Sequence, residues 1–466
     1  MNSDADSREK NTVAGWESAM SEQKKSFGIY TLGCKVNQYE SEAISEALCE
    51  RGLQPLPPTE ICDGYVINTC TVTAESDRKA RQFIRRAIKR NPNAAVVVTG
   101  CLAQTSAEAI ASMEGVDAVV GNAEKMKAAE LLWEILTYGK RSAEPTVSVS
   151  EIECACFEPM SITAFGRTRA YVKIEDGCEN RCTYCIIPDA RGRVRSKPMG
   201  EVLCEVEALT AGGCREVVLT GIETASYGRD LGDTDLASLL QAVDSIEGIG
   251  RVRLGSLDPS LILRGFADRV GGLSSLCPHF HLSLQSGSSS VLARMKRKYN
   301  AAQAKRAMEL LRAALPRVRF TTDVIVGFPG ETEEEFMETV EFVREAGFLN
   351  VHIFPYSKRR GTPAAGMSGQ VPEEEKRRRL HLLEQVVAEG RRRQLCEAIA
   401  GEPTVEVLFE TYKDGNAVGH TDDFLEVSVR SQRALHGETG RVILKETDGE
   451  LCYGELLSEE GANNGI

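Results

Sequence analysis

Six of the fifteen cysteines in this 466-residue chain stand in two arrangements able to hold metal. Cys178, Cys182 and Cys185 share one short stretch at C-x3-C-x2-C spacing. Thiolates this close can converge on one centre, and soft sulfur selects zinc or iron–sulfur clusters. A structural zinc wants four protein ligands, and no fourth Cys or His follows at finger or ribbon spacing. A cubane cluster on three cysteines keeps one iron open for a substrate or cosubstrate. A zinc site completed by a distant fourth ligand is the simpler alternative. Cys34, Cys70 and Cys101 form the second arrangement, each at the end of an apolar run: Phe27–Cys34, Gly64–Cys70 and Ala95–Cys101. Singly, each reads as a small buried residue closing a strand. Three in one register point to a second site with three thiolates and one open iron.

The elements that must carry these thiols follow from pattern. Residues 1–25 are polar without sustained periodicity and are expected to be a disordered extension. Over 26–140, short apolar runs bounded by turn residues alternate with helical stretches, which predicts buried parallel strands in βαβ units. Ligands of such sheets bind beyond the carboxyl ends of the strands, where Cys34, Cys70 and Cys101 fall. Residues 141–163 read as a linker. From 164 to 395 six strand-like runs alternate with helices, the signature of a parallel α/β barrel with its chemistry at the carboxyl ends. Gly221, Glu223, Ser256, Gln285, Asp323 and Tyr356 fall near those ends and suit a polar ligand. Residues 396–460 alternate short strand signals with Gly and Asp turns, as a small all-β barrel does.

The net charge of −12 argues at face value against a nucleic-acid partner. Residues 401–460, however, hold 14 Asp and Glu against 5 Lys and Arg, a balance of −9, leaving −3 for all the rest. That acidity argues against the tail gripping RNA and for its positioning the barrel or meeting a protein. Seven basic residues and no acid lie between Arg78 and Arg90, which on a helix either neutralise phosphates or form a solvated face. Arg191, Arg193, Arg195 and Lys197 would share one face if extended, a row of cations suited to a phosphate backbone. No apolar run is long enough to span a membrane, and the start lacks a secretory core, so a reducing cytoplasm is expected.

Cys178-Glu179-Asn180-Arg181-Cys182-Thr183-Tyr184-Cys185 resembles the cluster motif of the radical S-adenosylmethionine (SAM) enzymes. Thr31–Ser41, Asn68–Thr73 and Thr99–Cys101 resemble the N-terminal domain of the methylthiotransferases within that class. His281–Gly287 and Asp323–Thr332 resemble core motifs of the same family, and 401–458 its RNA-binding TRAM domain. The resemblance implies an N-terminal α/β cluster domain, an incomplete (β/α)6 radical SAM barrel and a small all-β TRAM barrel. It implies two [4Fe-4S] clusters, one on Cys178, Cys182 and Cys185 and an auxiliary one on Cys34, Cys70 and Cys101. It implies SAM beside Tyr184, Gly221, Glu223, Ser256, Gln285, Asp323 and Tyr356. The implied partners are tRNA carrying threonylcarbamoyladenosine and an electron donor such as flavodoxin or ferredoxin, with the enzyme a monomer. Gly33–Gln38, Arg191–Ser196 and His279–Gln285 look most like the branch acting on C2 of N6-threonylcarbamoyladenosine at tRNA position 37. Branches acting on isopentenyladenosine of tRNA or on an aspartate of a ribosomal protein are the alternatives. A non-catalytic iron–sulfur protein that binds RNA or senses redox state is a more distant one.

Overall fold

The computed structural model describes residues 24–140, 144–166, 168–401 and 403–457. The expected disordered extension therefore falls almost wholly outside the described residues.

The N-terminal unit is a parallel sheet of β1 (Ser26–Thr31), β2 (Gln54–Pro55), β3 (Gly64–Thr69), β4 (Ala95–Gly100), β5 (Ala118–Val120) and β6 (Thr146–Ser148). Its strand order is β2-β1-β3-β4-β5-β6. Every residue of β3 and β4 is buried, because hydrophobic clusters cover both faces of the sheet. Continuous apolar runs such as Ala95-Val96-Val97-Val98 are what such central parallel strands need. Helix α1 (Lys35–Glu50) follows β1, and α2 (Ala74–Arg90) follows β3. Thr73 caps α2 by accepting from the Ser76 amide, and Glu75 and Asp77 in its first turn complement the helix dipole.

The second unit begins with β7 (Ala170–Lys173), followed by the two-residue ladder of β8 (Glu175–Asp176) with β9 (Arg195–Ser196). Then come β10 (Glu216–Thr220), β11 (Arg251–Leu254), β12 (His279–Gln285), β13 (Arg319–Val326) and β14 (Asn350–Pro355). β7, β10 and β11 pair in parallel, as do β12, β13 and β14. Two isolated parallel bridges, Val252 to Leu276 and Leu257 to Leu282, join the two sheets. The order β7-β10-β11-β12-β13-β14 is an open six-stranded barrel. Alternation sends Val172, Val217, Leu219, Val252, Phe280, Leu282 and Val324 to the core under the helices. It leaves Lys173, Glu216, Arg253, His279, His281, Thr321, Asp323 and His352 on the opposite, inner face.

The N-terminal unit closes the open side of this barrel. On the β7 edge, Lys173 donates to Glu40 of α1 at 2.9 Å, and the Tyr39 hydroxyl donates to Glu205 at 3.0 Å. On the β14 edge, Arg359 donates to Asp77 at 2.8 Å and to Thr71 at 2.7 Å.

The third unit is a closed barrel of β15 (Thr404–Lys413), β16 (Asn416–His420), β17 (Glu426–Arg430), β18 (Thr439–Thr447) and β19 (Cys452–Leu456). Its acids meet arginines at the amino ends of the large barrel's strands. Arg251 pairs with Glu406 at 3.0 Å, Arg317 with Asp422 at 2.8 Å and Arg319 with Asp423 at 2.7 Å. Phe424, at φ +76°, stacks on His279 and His420 with centroids 4.3 and 4.7 Å apart, and Arg253 lies over its ring. Part of the tail's acidity thus matches cations of this same chain and holds the small barrel against the floor of the large one.

Candidate functional site

Cys34 is the residue before α1, Cys70 follows β3 and Cys101 opens the short helix after β4, so one sheet end carries all three thiols. Gly33 makes their approach possible. Its φ is +110°, and a Cβ there would sit 2.9 Å from Cys70 Cβ and 3.2 Å from its sulfur. Cys34 is exposed, while Cys70 and Cys101 are buried. Burial pushes the Cys70 thiol up to about 11, and the neighbouring Cys101 and Cys34 add to the shift.

The second set lies in the loop after β8. The Cys185 amide donates to Cys182 O at 3.0 Å, and the Cys178 amide donates to Gly192 O at 3.0 Å. Thr183 pins the middle of the loop through its hydroxyl to Arg294 O at 2.9 Å. Tyr184 packs against the cluster of Val291, Met295, Phe328 and Tyr356. Burial pushes Cys185 up to about 12 and Cys178 higher still, with Glu223 adding to the latter. Cys70, Cys178 and Cys185 are therefore protonated at neutral pH, and loading metal must release those protons.

One arginine links the first set to the strand that precedes the second. Arg191 is fully buried and donates through Nε to Cys101 Sγ at 3.3 Å. Its other nitrogens donate to Glu40 and Asn37 at 2.6 Å each, and to Asp176, two residues before Cys178, at 3.2 Å. Lys125 completes the same buried cluster by pairing with Glu40. This corrects the expected row of exposed cations. Arg191 ends a helix and Gly192 follows at φ +72°, so the chain does not run extended. Arg195 is buried and donates to Arg191 O at 2.7 Å; Lys197 is buried against Glu205 at 2.6 Å. Only Arg193 of the four is exposed, and it faces Glu153 at 3.3 Å.

Two acids stand beside the Cys178 loop. The Glu223 amide donates to Glu175 Oε2 at 2.7 Å, and Asn180 of the loop donates to Glu223 Oε2 at 2.6 Å. Glu175 Oε1 is buried with no hydrogen-bond partner. A Cβ on Gly221 would fall 2.5 Å from Glu175 Oε2, so a larger residue there would have to displace that carboxylate. Burial holds Glu175 well above the usual carboxylate range and pushes Glu223 up to about 7, with Asp258 adding to the latter. An orphaned acceptor within an acidic pair is complementary to a cationic ligand with ammonium donors.

The remaining candidates divide. Gln285 closes β12 at φ +71° beside a break in the ladder, and Ser256 is exposed after β11. Asp323 lies in mid-strand, below the mouth, with His281 Nε2 3.2 Å away. Tyr356 is a core residue whose ring packs edge-on against Phe328, its hydroxyl without a partner. Sequence reasoning missed Arg297, which donates to Cys182 Sγ at 3.3 Å, and to Asp258 and Ser283 O at 2.9 Å. Asn37 and Glu40 lie within the Thr31–Ser41 motif, where nothing local marks them as the partners of Arg191.

The donor spacing separates the two metal readings. Among the described residues, the one set of three His, Cys, Asp or Glu ligand atoms all within 4.8 Å is His281, Asp323 and His352. Neither cysteine set closes to that spacing. A single tetrahedral zinc with 2.3 Å bonds needs sulfurs about 3.8 Å apart. Three thiols set wider suit a polynuclear iron–sulfur cluster.

Residues 172–343 match the model of the radical SAM superfamily, and residues 26–121 match that of uncharacterized protein family UPF0004. The threonylcarbamoyladenosine tRNA methylthiotransferase MtaB of Bacillus subtilis is 43% identical over 90% of this chain and 93% of its own length. The enzyme of that name from Chlamydia pneumoniae is 38% identical over 88% and 92%. The tRNA-2-methylthio-N(6)-dimethylallyladenosine synthase of Carboxydothermus hydrogenoformans is 36% identical over 77% and 82%. Among solved structures, the radical SAM methyltransferase TsrM of Kitasatospora setae superposes with a TM-score of 0.53 at 17% identity, over 74% of this chain and 77% of its own, a likeness of fold. That family uses SAM and [4Fe-4S] clusters. With two three-thiol sets and near full-length relatives above 30% identity, this chain belongs to the MtaB-type radical SAM methylthiotransferases.

Proposed function

We propose that this enzyme methylthiolates C2 of N6-threonylcarbamoyladenosine at position 37 of tRNA, using two SAM molecules and two [4Fe-4S] clusters. The observation that carries the substrate is the match to the threonylcarbamoyladenosine enzymes along nine-tenths of the chain. In this reading Cys178, Cys182 and Cys185 hold one cluster, and Cys34, Cys70 and Cys101 hold the auxiliary one. When bound, the first supplies the electron that splits SAM into methionine and a 5′-deoxyadenosyl radical, and the second handles the sulfur to be transferred.

The chain's own residues do the positioning. Glu175 and Glu223 offer carboxylates to the ammonium group of SAM, and Asn180 fixes Glu223 in place. Arg297 and Arg191 each donate to one cysteine sulfur, a charge-assisted contact that favours thiolate over thiol. Closure of the barrel's open side by α1 and Arg359 keeps water from the radical and holds carbon and sulfur at reaction distance. Arg81, Arg85, Arg86 and Lys89 on the outer face of α2 give the tRNA backbone a cationic surface beside this entrance. A reduced flavodoxin- or ferredoxin-type protein supplies the electrons, and the enzyme acts as a monomer in the cytoplasm.

Mass spectrometry of tRNA nucleosides from cells lacking the protein, with and without its gene restored, tests the reading. Restoration should return 2-methylthio-N6-threonylcarbamoyladenosine. Return of the isopentenyl analogue instead would move the enzyme to the other branch.

A further inference from the structure

Asp323 on β13 stands directly opposite His352 on β14, and Thr321, two residues earlier on β13, stands opposite His281 on β12. Residues two apart on a strand share a face, and neighbouring strands run about 4.8 Å apart, so His281, Asp323 and His352 meet on the barrel's inner wall. One ligand atom from each lies within 4.8 Å of the other two. His281 Nε2 and Asp323 Oδ2 are 3.2 Å apart, close to the roughly 3.3 Å between two donors of a tetrahedral zinc with bonds of about 2.0 Å. Thr321 Oγ1 meets His281 Nδ1 at 3.0 Å, on the far side of the ring from the carboxylate. A hydrogen bond at the far nitrogen is how metal-binding imidazoles are oriented.

The remaining donors are free to bind. Among the described residues Asp323 has no side-chain hydrogen bond or ion pair besides that with His281, and the His352 nitrogens have none. His352 is also exposed, so its ring can turn to close the set. The cations of the same inner face are committed elsewhere, Arg253 to Glu216 and Lys173 to Asp176, each at 2.7 Å. Two imidazoles and one carboxylate on three paired strands suit a divalent transition cation and leave it a further coordination position on the side of the lumen.

We propose that His281, Asp323 and His352 bind one divalent transition cation, whose open position takes the carboxylate of the substrate's threonylcarbamoyl group. The contact to the carboxylate rests on the substrate proposed above; the metal site does not. A threonyl group is a β-hydroxy acid, so its carboxylate and hydroxyl offer two oxygens to one cation. Without the cation that carboxylate would approach Asp323, like charge against like charge. A doubly charged cation beside one aspartate turns the same wall net positive, the complement of an anion. An isopentenyl tail brings no donor to the metal, so the site discriminates against it.

The test dialyses reconstituted holoenzyme against zinc ions and counts zinc and iron by mass spectrometry in wild type, His352→Ala and Asp323→Ala. Wild type should retain about one zinc per chain more than either variant, with iron equal in all three. Equal zinc in wild type and both variants overturns the site. Binding is then measured for anticodon stem-loops carrying N6-threonylcarbamoyladenosine or its neutral threonine amide. With zinc, wild type should bind the acid about 100-fold more tightly than the amide, as expected for a buried charge pair. EDTA at a level that leaves the iron in place should erase that preference, and His352→Ala should not show it. A preference that survives EDTA, or that is absent with zinc bound, overturns the contact to the carboxylate. Turnover of an isopentenyladenosine stem-loop in place of the threonylcarbamoyl one overturns the substrate reading and that contact with it, whereas the zinc count still decides the site.

Discussion

Arg191 and Glu40 meet at 2.6 Å with neither side chain exposed, and the pair ties the loop that follows Cys185 to the helix that follows Cys34. Glu40 also receives Lys125 and Lys173, so one carboxylate gathers cations from the N-terminal sheet and from the first barrel strand. Removing one partner leaves an uncompensated charge in a dry interface. Arg191→Met should cost about 4 kcal/mol in denaturant unfolding and loosen both cysteine sets. Arg191→Lys should not rescue, because a point ammonium cannot reach Glu40, Asn37 and Cys101 together. Unchanged stability with weaker tRNA binding would instead restore this arginine to an RNA surface.

The two thiol sets should separate cleanly by chemistry. Cys178→Ala should abolish 5′-deoxyadenosine release, and iron should fall from about eight to about four per chain. Cys101→Ala should lose a similar amount of iron yet still cleave SAM, with no methylthio product. Quantitative iron and sulfide analysis beside nucleoside chromatography reads both. Retention of full iron content in Cys101→Ala would remove that residue from the ligand set.

The docking of the small barrel should depend on Phe424. Phe424→Ala removes a ring stacked between His279 and His420 and roofed by Arg253, at a cost of about 2 kcal/mol. Limited proteolysis should then cut before β15 much faster than in wild type, with the iron content unchanged. Equal cleavage rates would mean that the flanking ion pairs alone hold the interface.

Much of this architecture was legible because the relevant signals are local. Three apolar runs each ending in a cysteine, and six runs alternating with helices, fix strand ends by hydrophobic periodicity alone. Charges were read less well, since their partners lie far off in sequence. Arg191 and Glu40 are 151 residues apart, and Arg253 bonds the Thr421 and Asp422 carbonyls 168 and 169 residues away. The period-of-two reading of Arg191 to Lys197 failed at Gly192, whose left-handed turn no alternation rule anticipates. Arg297 sits in the charged stretch Arg294-Met295-Lys296-Arg297-Lys298, where nothing local marks one basic residue as the contact to Cys182.

The basic face of α2 gives a salt-dependent prediction. Arg81, Arg85 and Lys89 have no ion-pair partner among the described residues, while Ala80, Ile84 and Ala87 of the same helix are buried. Replacing the three with glutamine should weaken tRNA binding at all sequences and lower the slope of log affinity against log salt by about 2. Titrations of tRNA at several salt concentrations would show it, and an unchanged slope would make this face merely solvated.

Glu223 gives a pH dependence in the chain without its clusters. Its folded value of about 7 lies above the ordinary 4.5, so between those values the folded chain binds the extra proton. Stability is then fully present below about 4.5 and declines as pH rises through 7, by about 3 kcal/mol in total. Urea midpoints at pH 5 and 8 should differ by correspondingly less in Glu223→Gln than in wild type. An equal difference in both would place the titration elsewhere.

The central claim is that one enclosed interior, with a thiol set on each side, joins radical generation to sulfur transfer on a tRNA base. It is tested most directly by single-turnover chemistry: reconstituted enzyme, SAM, a reductant and an anticodon stem-loop bearing N6-threonylcarbamoyladenosine, with both products measured by mass spectrometry. The account predicts 2-methylthio-N6-threonylcarbamoyladenosine and 5′-deoxyadenosine rising together, with both absent in Cys178→Ala. Release of 5′-deoxyadenosine from the fully loaded enzyme with the nucleoside unchanged would contradict it.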